Sequence, residues 1–245
     1  MLSVKTSIKI SPKQNKFLSL APGHRACAGC GQMIAARAVA ETLGRDVIIA
    51  NATGCLEVTT TLYPESSWGM PWIHSLFENA SSVASGIRAA MDYKGAKLPI
   101  GSLAPKLKVV AQGGDGGTFD IGLGLISGMW ERGDDIIYIC YDTEAYSNTG
   151  VQASGATPLG ANTTTTPIGE CKEKIAPLFC KLTGSEQRKK DMIAIALAHG
   201  LNYVAQTTAG FVDDITAKIK KAMEVKGPSY IQILTPCVPG WNINP

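Results

Sequence analysis

The sequence lacks the features of membrane, secreted and nucleic-acid-binding proteins. No apolar run approaches the roughly 18 residues that a membrane span requires. The N-terminus contains no apolar core of about 7 to 15 residues, so no secretory signal is predicted. The formal charge is only +3, and the longest basic cluster is Arg188-Lys189-Lys190. We therefore expect a cytoplasmic globular protein with no membrane and no nucleic acid among its partners.

Disulfides are also not expected, although the chain contains seven cysteines. Thiols in the cytoplasm are kept reduced, so these residues are better candidates for metal ligands or core positions. Cys27 and Cys30 form a Cys-x-x-Cys pair within GHRACAGCG, residues 23–31, and no second such pair occurs in the chain. A metal site with four thiolates would therefore need ligands from distant parts of the sequence.

Helical and strand patterns alternate along most of the chain. Apolar periodicity predicts helices at 31–43, 80–94, 119–133, 191–199 and 211–225. Short apolar runs predict strands at 46–54, 106–112, 135–142, 202–208 and 229–235. This alternation predicts an α/β fold, a doubly wound and mostly parallel sheet with helices on both faces.

One segment interrupts the alternation. Residues 143–186 are rich in Thr, Gly and Pro and show no convincing period. Loops of this length in a compact domain are usually functional. We expect a single domain over residues 1–245, with 1–22 as an N-terminal extension and 143–186 as a long functional loop.

A glycine-rich sequence, GGDGG at 113–117, directly follows a predicted strand and precedes a predicted helix. Backbone N–H groups and a helix N-terminus would then converge on one point, which favours binding of an anion such as a phosphate. Asp115 would repel that anion unless a cation lay between them, and Mg²⁺ commonly bridges a carboxylate to a diphosphate. A simple turn is the alternative interpretation. TEAYSN at 143–148 follows the next strand and offers oxygen ligands at the same sheet edge.

These motifs together resemble a known family. GDGG followed by TEAYSNTG resembles the diphosphate-binding motif of thiamine diphosphate (TPP) enzymes. More narrowly, the chain is similar to the beta subunit of 2-oxoacid:ferredoxin oxidoreductases from about His24 to Trp241. The similarity is carried by GHRACAGCG, ATGC (52–55), PWIHSLFENA (71–80), GGDGGTFDIG, YDTEAYSNTG and TPC (235–237). The resemblance implies a TPP-binding fold that also carries an iron–sulfur site.

The resemblance implies a [4Fe–4S] cluster held by four cysteines, namely Cys27, Cys30, Cys55 and Cys237. From the residues alone, a structural zinc site is an equal alternative. Cys171 or Cys180 could also replace Cys237 as the fourth ligand. Cys140 lies inside an apolar strand and is expected to be a core residue.

The same resemblance implies the TPP site. Asp115, the Thr143 hydroxyl and the Ala145 carbonyl would coordinate Mg²⁺. The remaining cofactor contacts would come from Cys55, Gly114, Gly116, Gly117, Glu144, Tyr146, Ser147 and Asn148. Asn148 would face the reacting carbon as the catalytic residue, with a turn-forming Asn as the alternative. Gln32 stands where family members can carry Glu, so a contact there would be a neutral hydrogen bond. His74 is interpreted as a packed, hydrogen-bonded residue and His24 as a hydrogen-bond donor to the cluster.

The implied reaction is the oxidative decarboxylation of pyruvate, with coenzyme A taking the acyl group and ferredoxin taking the electrons. Oxalate without coenzyme A, 2-oxoisovalerate and 2-oxoglutarate are alternative substrates. A non-redox TPP decarboxylase or carboligase with a zinc site, and a non-catalytic interaction module, are alternative functions. The resemblance also implies alpha, gamma and delta subunits or their fused equivalents as partners, one of which supplies the Glu that activates the aminopyrimidine. The aromatic stretch 63–77, with Trp68, Trp72 and Phe77, is the candidate for part of the interface, and packing of these rings on the chain's own core is the alternative.

Overall fold

The structure, a computed structural model, describes residues 18–62, 64–96, 107–170 and 181–244. Its centre is a six-stranded sheet in which all neighbouring strands are parallel. The strands are β1 (Val47–Asn51), β2 (Trp72–His74), β3 (Lys108–Gly114), β4 (Ile136–Asp142), β7 (Tyr203–Thr208) and β8 (Ser229–Leu234), in the spatial order β2-β1-β3-β4-β8-β7. A separate antiparallel pair, β5 (Ile168–Glu170) with β6 (Lys181–Thr183), lies within segment 143–186.

Helices cover both faces of the six-stranded sheet. They are α1 (Gly31–Leu43), α2 (Cys55–Thr60), α3 (Ala80–Ala96), α4 (Leu123–Glu131), α5 (Met192–Ala198) and α6 (Val212–Glu224), with a π-helix at Gly116–Ile121. Helices α1 and α6 pack on one face, and α3, α4 and α5 pack on the other. Every residue of β4 is buried, because its side chains alternate between these two cores. The predicted doubly wound parallel fold is confirmed.

Every predicted helix and strand is present, with differences at the boundaries. At 46–54, where a short strand running into a turn is predicted, strand β1 ends at Asn51 and helix α2 begins at Cys55. Helix α2 and strand β2 were not predicted. The helix predicted at 119–133 is a π-helix followed by α4, and the two meet at Gly122. A side chain at Gly122 would overlap the Gly117 carbonyl, so this close backbone approach requires glycine.

In the aromatic stretch 63–77, Trp68 and Met70 are buried in the chain's own core, and Trp72 and Phe77 are half-buried. Trp68 is only 8% exposed, donates its indole N–H to the Thr60 hydroxyl at 2.9 Å, and forms an antiparallel bridge with buried Leu20. The prediction that Trp68 contributes to an interface was therefore wrong. Among the described residues 64–77, the exposed large apolar side chains are Ile73 and Leu76 instead.

Only the end of the predicted N-terminal extension belongs to the described residues. The described part of the N-terminal extension, from residue 18, packs onto the core through Leu20, whose carbonyl accepts from Arg37. Cys171 and Cys180 lie outside the described residues. Among the described helices, none has the length and apolar character needed to cross a bilayer.

Candidate cofactor site

A cavity lies at the carboxyl ends of β1, β3 and β4, where the loops after these strands meet. Thr53 and Cys55 form the wall after β1, and Asp115 follows β3. The loop after β4 closes the opposite side. In parallel α/β sheets this edge is the usual position for a ligand, because strand ends and helix N-termini converge there.

The predicted magnesium ligands form a compact group of oxygens. Oδ1 of Asp115 accepts from the Thr143 amide at 3.1 Å and lies 2.9 Å from Thr143 Oγ1. The same Oγ1 is 3.0 Å from the Ala145 carbonyl oxygen. Neighbouring ligands in an octahedron with Mg–O bonds of about 2.1 Å are roughly 3 Å apart. The spacing of these oxygens therefore fits Mg²⁺.

The electrostatic state of Asp115 also fits a cation. The side chain is 1% exposed, and burial together with the nearby Asp142 raises its pKa to about 7. Hydrogen bonds from Ser154 and Thr143 oppose this rise. Asp142, in contrast, is ion-paired with Lys189 at 2.6 Å. In the described parts of the chain, no Lys, Arg or His pairs with Asp115, so its negative charge lacks a counter-charge.

The loop after β4 is held in place from outside the cavity. Lys189 bridges the carboxylates of Asp142 and Glu144, and the Trp241 indole donates to the Thr143 carbonyl at 2.9 Å. Glu144 has a φ of 63°, an uncommon conformation for a residue with a side chain. Its carboxylate is directed to Lys189, and it does not line the cavity. These contacts fix the backbone that presents Thr143 and Ala145.

The glycines of the GGDGG motif have different structural roles. A Cβ at Gly116 would overlap the Tyr146 ring, and one at Gly117 would lie 3.0 Å from the Phe77 carbonyl. At Gly114 the nearest atom would be 3.9 Å away, so this position is open. Gly114 and Gly116 line the cavity, whereas Gly117 lies behind it. The motif therefore serves packing against Phe77 and Tyr146 as well as access to the backbone.

The other predicted contacts lie along the same loop. Ser147 donates to the Thr143 hydroxyl at 2.9 Å, and Asn148 is exposed at the rim of the cavity. Tyr146 packs edge-on against Phe77 and donates to Asp120 at 2.7 Å. Asp120 also accepts from Lys190 at 2.6 Å, which fixes the Tyr146 ring beside the cavity.

Of the four predicted cluster ligands, Cys55 lines the cavity, and Cys27, Cys30 and Cys237 lie near enough to it to affect its pKa. Cys27 is exposed, while Cys30, Cys55 and Cys237 are half-buried, and all four are free thiols. Gly31 brings the Cys-x-x-Cys pair to the C-terminal cysteine, because its amide donates to the Pro236 carbonyl at 3.3 Å. A Cβ at Gly31 would lie only 2.5 Å from Pro236, which makes this approach specific to glycine.

The thiols are close enough to influence one another. Burial raises the pKa of Cys55 to about 12, and Cys237, Cys30, Cys27 and Asp115 add to the effect. Burial also raises the pKa of Cys30, opposed by hydrogen bonds from the backbone of Met33 and Gln32 at the start of α1. Within the described ranges, no three His, Cys, Asp or Glu side chains form a ready-made metal site. The four thiols therefore lie near one another without forming a complete metal site.

Sequence reasoning missed several residues of the cavity. Thr53 and Phe77 line it, and Ser154 donates to Asp115 Oδ2 at 2.5 Å. Thr53 and Phe77 lie within motifs that carry the family resemblance, but their uncharged side chains gave no chemical signal. Ser154 lies in the 143–186 segment, whose lack of periodicity concealed its position.

Comparisons with known proteins define first the class and then the family. Residues 52–233 match the family model described as thiamine pyrophosphate enzyme, C-terminal TPP binding domain. The chain is 51% identical to the pyruvate synthase subunit PorB of Methanocaldococcus jannaschii, over 96% of this chain and 74% of that protein. It is 42% identical to the Thermotoga maritima PorB, over 94% of this chain and 68% of the other.

Two further comparisons widen the family. A ketoisovalerate oxidoreductase subunit VorB from Pyrococcus abyssi is 38% identical, over 97% of this chain and 71% of the relative. A solved 2-oxoglutarate:ferredoxin oxidoreductase from Magnetococcus marinus shares the fold, with a TM-score of 0.71 at 24% identity, over 98% of this chain and 72% of that chain. The chain belongs to the PorB family of TPP-dependent oxidoreductase subunits that act on 2-oxo acids. The family resemblance seen in the sequence is confirmed.

Proposed function

We propose that this chain binds TPP through Mg²⁺ beside a [4Fe–4S] cluster, and that with its partner subunits it oxidatively decarboxylates pyruvate. Coenzyme A would take the acyl group and ferredoxin the electrons. The observation that carries the proposal is the position of Cys55. It lines the same cavity as Asp115, and its thiol is influenced both by that carboxyl and by the other three cysteines.

The magnesium assignment rests on Asp115, Thr143 and Ala145. Their oxygens have the spacing of neighbouring octahedral ligands, and the buried carboxyl lacks a cationic partner among the described residues. A diphosphate brought in with Mg²⁺ would supply further oxygen ligands. Gly114, at the end of β3, has an open side toward the cavity and gives that diphosphate access to the backbone.

The cluster assignment rests on the chemistry of the thiols. Four soft sulfur ligands suit iron, and Cys30 precedes helix α1, so the first backbone amides of that helix lie close to its thiol. The buried Nδ1 of His24 has no hydrogen-bond partner among the described residues, which leaves it free for a cluster sulfur. Zinc could occupy four thiolates, but zinc accepts no electrons, and an oxidation at this cavity requires an acceptor close by.

When bound, TPP supplies an electron sink for loss of carbon dioxide, and the cluster accepts electrons one at a time. The chain's own residues position and enclose the reaction. Asn148, at the rim, is proposed to contact the substrate near the reacting carbon. Phe77 and Tyr146 form an aromatic wall, which Asp120 and Lys190 hold in place and which limits access of water.

The proposed assembly follows from what one chain offers. The family relatives are named as subunits, and we propose that the alpha subunit or its fused equivalent supplies the Glu that activates the aminopyrimidine. Exposed Ile73 and Leu76, near the cavity, are candidate contacts for that subunit. Identities of 42–51% to PorB proteins against 38% to a VorB protein favour pyruvate over 2-oxoisovalerate as the substrate.

The test is anaerobic purification of the chain alone and together with its partner subunits, followed by iron, zinc, magnesium and TPP analysis. About four iron and one TPP per chain, with pyruvate-dependent dye reduction only in the complex, is the expected result. Zinc in place of iron would overturn the cluster. A complex that favours 2-oxoisovalerate, 2-oxoglutarate or oxalate over pyruvate would overturn the substrate, and activity of the isolated chain would overturn the subunit requirement.

A further inference from the structure

Three polar side chains connect the cavity wall to the edge of the sheet. The Thr53 hydroxyl lies 2.7 Å from Nε2 of His74. On the opposite side of the imidazole, Nδ1 lies 3.7 Å from the Glu57 carboxylate. Because Thr53 lines the cofactor cavity, this carboxylate–imidazole–hydroxyl series ends at the site of the reaction.

Separate elements of the fold create this arrangement. Strand β2 pairs in parallel with β1, and His74 lies in register with Asn51 at the carboxyl end of both strands. Thr53 follows β1 two residues later, and Glu57 lies in the first turn of α2. The ring of Trp72 lies 6.2 Å from the imidazole and restricts its orientation.

The arrangement differs from that of a packed core histidine. The side chains of His74 and Glu57 are 27% and 17% exposed, so neither is buried in an apolar core. Each ring nitrogen faces a different polar partner, which is the geometry of a group that can take a proton on one side and give one on the other. Glu57 on α2 is the charged group that faces the imidazole, while Asn51, Thr53 and Trp72 are neutral.

We propose that His74 holds a proton for the carbonyl oxygen of the 2-oxo acid and exchanges it through the Thr53 hydroxyl. This inference rests on the proposed function. TPP, if held beside Asp115, Thr143 and Ala145, would supply the carbanion that adds to the carbonyl carbon, and the electron pair of the C=O π bond would move to oxygen as the carbon–carbon bond forms. That oxygen takes the Thr53 proton, Thr53 takes one from Nε2, and the imidazolium becomes neutral. The proton returns along the same path when the carbonyl is formed again.

In this scheme Thr53 is the group that touches the substrate, and His74 acts through it. Glu57 stabilises the protonated imidazole and orients Nδ1, so it has a positioning role. Its distance of 3.7 Å is longer than a hydrogen bond, so we expect it to shorten when the site is filled.

The test uses the complete complex with three variants and one matched control. His74→Gln keeps a polar side chain without a titrating group, Thr53→Val removes the hydroxyl at constant shape, and Thr53→Ser retains it. His199→Gln is the control, because His199 forms a similar pair with Ser127 at 2.8 Å but does not line the cavity. Measurements are kcat and kcat/KM for the 2-oxo acid against pH, with TPP and iron content.

His74→Gln and Thr53→Val should each lower kcat by about 10²-fold, a typical contribution of acid–base catalysis, with TPP and iron content unchanged. Both should also abolish the same limb of the pH profile. The double variant should be no slower than either single one, because both changes interrupt one path. Thr53→Ser should recover most of the activity lost in Thr53→Val, and His199→Gln should match the unmodified complex.

Three results would overturn the relay. The first is an unchanged pH profile in His74→Gln, and the second is a multiplicative loss in the double variant. Loss of TPP in step with loss of activity would instead assign His74 a structural role and would also overturn it. Failure of the unmodified complex to oxidise any 2-oxo acid would contradict the proposed function itself, which separates the two tests.

Discussion

The two ends of the cofactor cavity are built in different ways. At the Asp115 end, a carboxylate, a hydroxyl and a carbonyl are already joined by hydrogen bonds at 2.9–3.0 Å. At the cysteine end, the four free thiols come from separate parts of the chain, and one of them, Cys27, is exposed. The oxygen groups are already hydrogen-bonded to one another, whereas the described cysteines do not form a complete metal site.

The difference follows from the hydrogen-bonding capacity of the two ligand types. Oxygen groups can satisfy one another without an ion, because the Thr143 hydroxyl accepts from Ser147 and lies within donating distance of the Asp115 carboxylate and the Ala145 carbonyl. Thiols are weak donors and weak acceptors, so no comparable network holds them before a metal binds. We therefore expect the oxygen end to keep its shape in the apoprotein and the cysteine end to become ordered only when the proposed cluster binds.

The largest effect is expected from Cys237→Ala. Loss of one of four thiolates should release nearly all the iron and lower activity of the complex by more than about 100-fold. Cys140→Ala is the matched control. Because Cys140 is fully buried in β4, this variant should keep the iron content of the unmodified protein. Iron analysis after anaerobic purification decides the matter. Full iron content in Cys237→Ala would move the fourth ligand elsewhere.

Asp115→Asn should affect the oxygen end and leave the cysteine end unchanged. The amide preserves the shape of the side chain but removes the charge that attracts Mg²⁺, so TPP affinity should fall by about 10²-fold. Iron should remain, since the thiols are held by different segments. Titration calorimetry with Mg²⁺ and TPP, alongside iron analysis, measures both. Loss of iron together with TPP would show that the two ends form one cooperative unit.

Asp115→Asn should weaken TPP binding but should stabilise the metal-free chain against unfolding. Burial raises the Asp115 pKa from 3.8 to about 7, so the fold favours the protonated carboxyl. Stability of the wild-type apoprotein should therefore fall as the pH rises from about 4 through 7. Above pH 7, Asp115→Asn should be more stable by roughly 2–3 kcal/mol, with little difference at about pH 4. Urea unfolding with a chelator at both pH values tests this, and equal stabilities at high pH would contradict it.

Gly116→Ala and Gly114→Ala should have different effects, although both lie in one motif. The new methyl group at 116 would overlap the Tyr146 ring and should cost about 1–2 kcal/mol in unfolding free energy. The methyl group at 114 meets no atom closer than 3.9 Å, so stability should be nearly unchanged while TPP binding weakens. Thermal melts and TPP titrations measure the two effects. Equal destabilisation of both variants would contradict the packing role of Gly116.

The smallest effect is expected from Trp241→Phe. The change removes the indole donor to the Thr143 carbonyl but keeps most of the aromatic packing, so about 1 kcal/mol should be lost. TPP affinity should fall only a few-fold, because Lys189 still holds the loop after β4. A loss as large as that of Asp115→Asn would mean that the C-terminal segment, and not the preformed network, holds the oxygen end.

The family resemblance predicts the residues of both ends, but it does not reveal how they are supported. Asp115 and Thr143 could be paired because parallel strands end at the same edge of the sheet. The partners Ser154 and Trp241 could not be anticipated, since no periodicity links them to Asp115 or Thr143. Trp68 was misinterpreted for a related reason: aromatic residues are found both in interfaces and in cores, and only its burial against Leu20 decided between them.

The sequence by itself determined the parallel α/β architecture, because buried strands and amphipathic helices leave local periodic patterns. It also determined the identity of the ligand types, because carboxylate and thiolate chemistry is a property of the side chain. Only the tertiary structure decided that Glu144 is directed to Lys189, and that Thr53, His74 and Glu57 align in one series. Such alignments depend on how β2 pairs with β1 and where α2 begins, and long-range packing sets both of these.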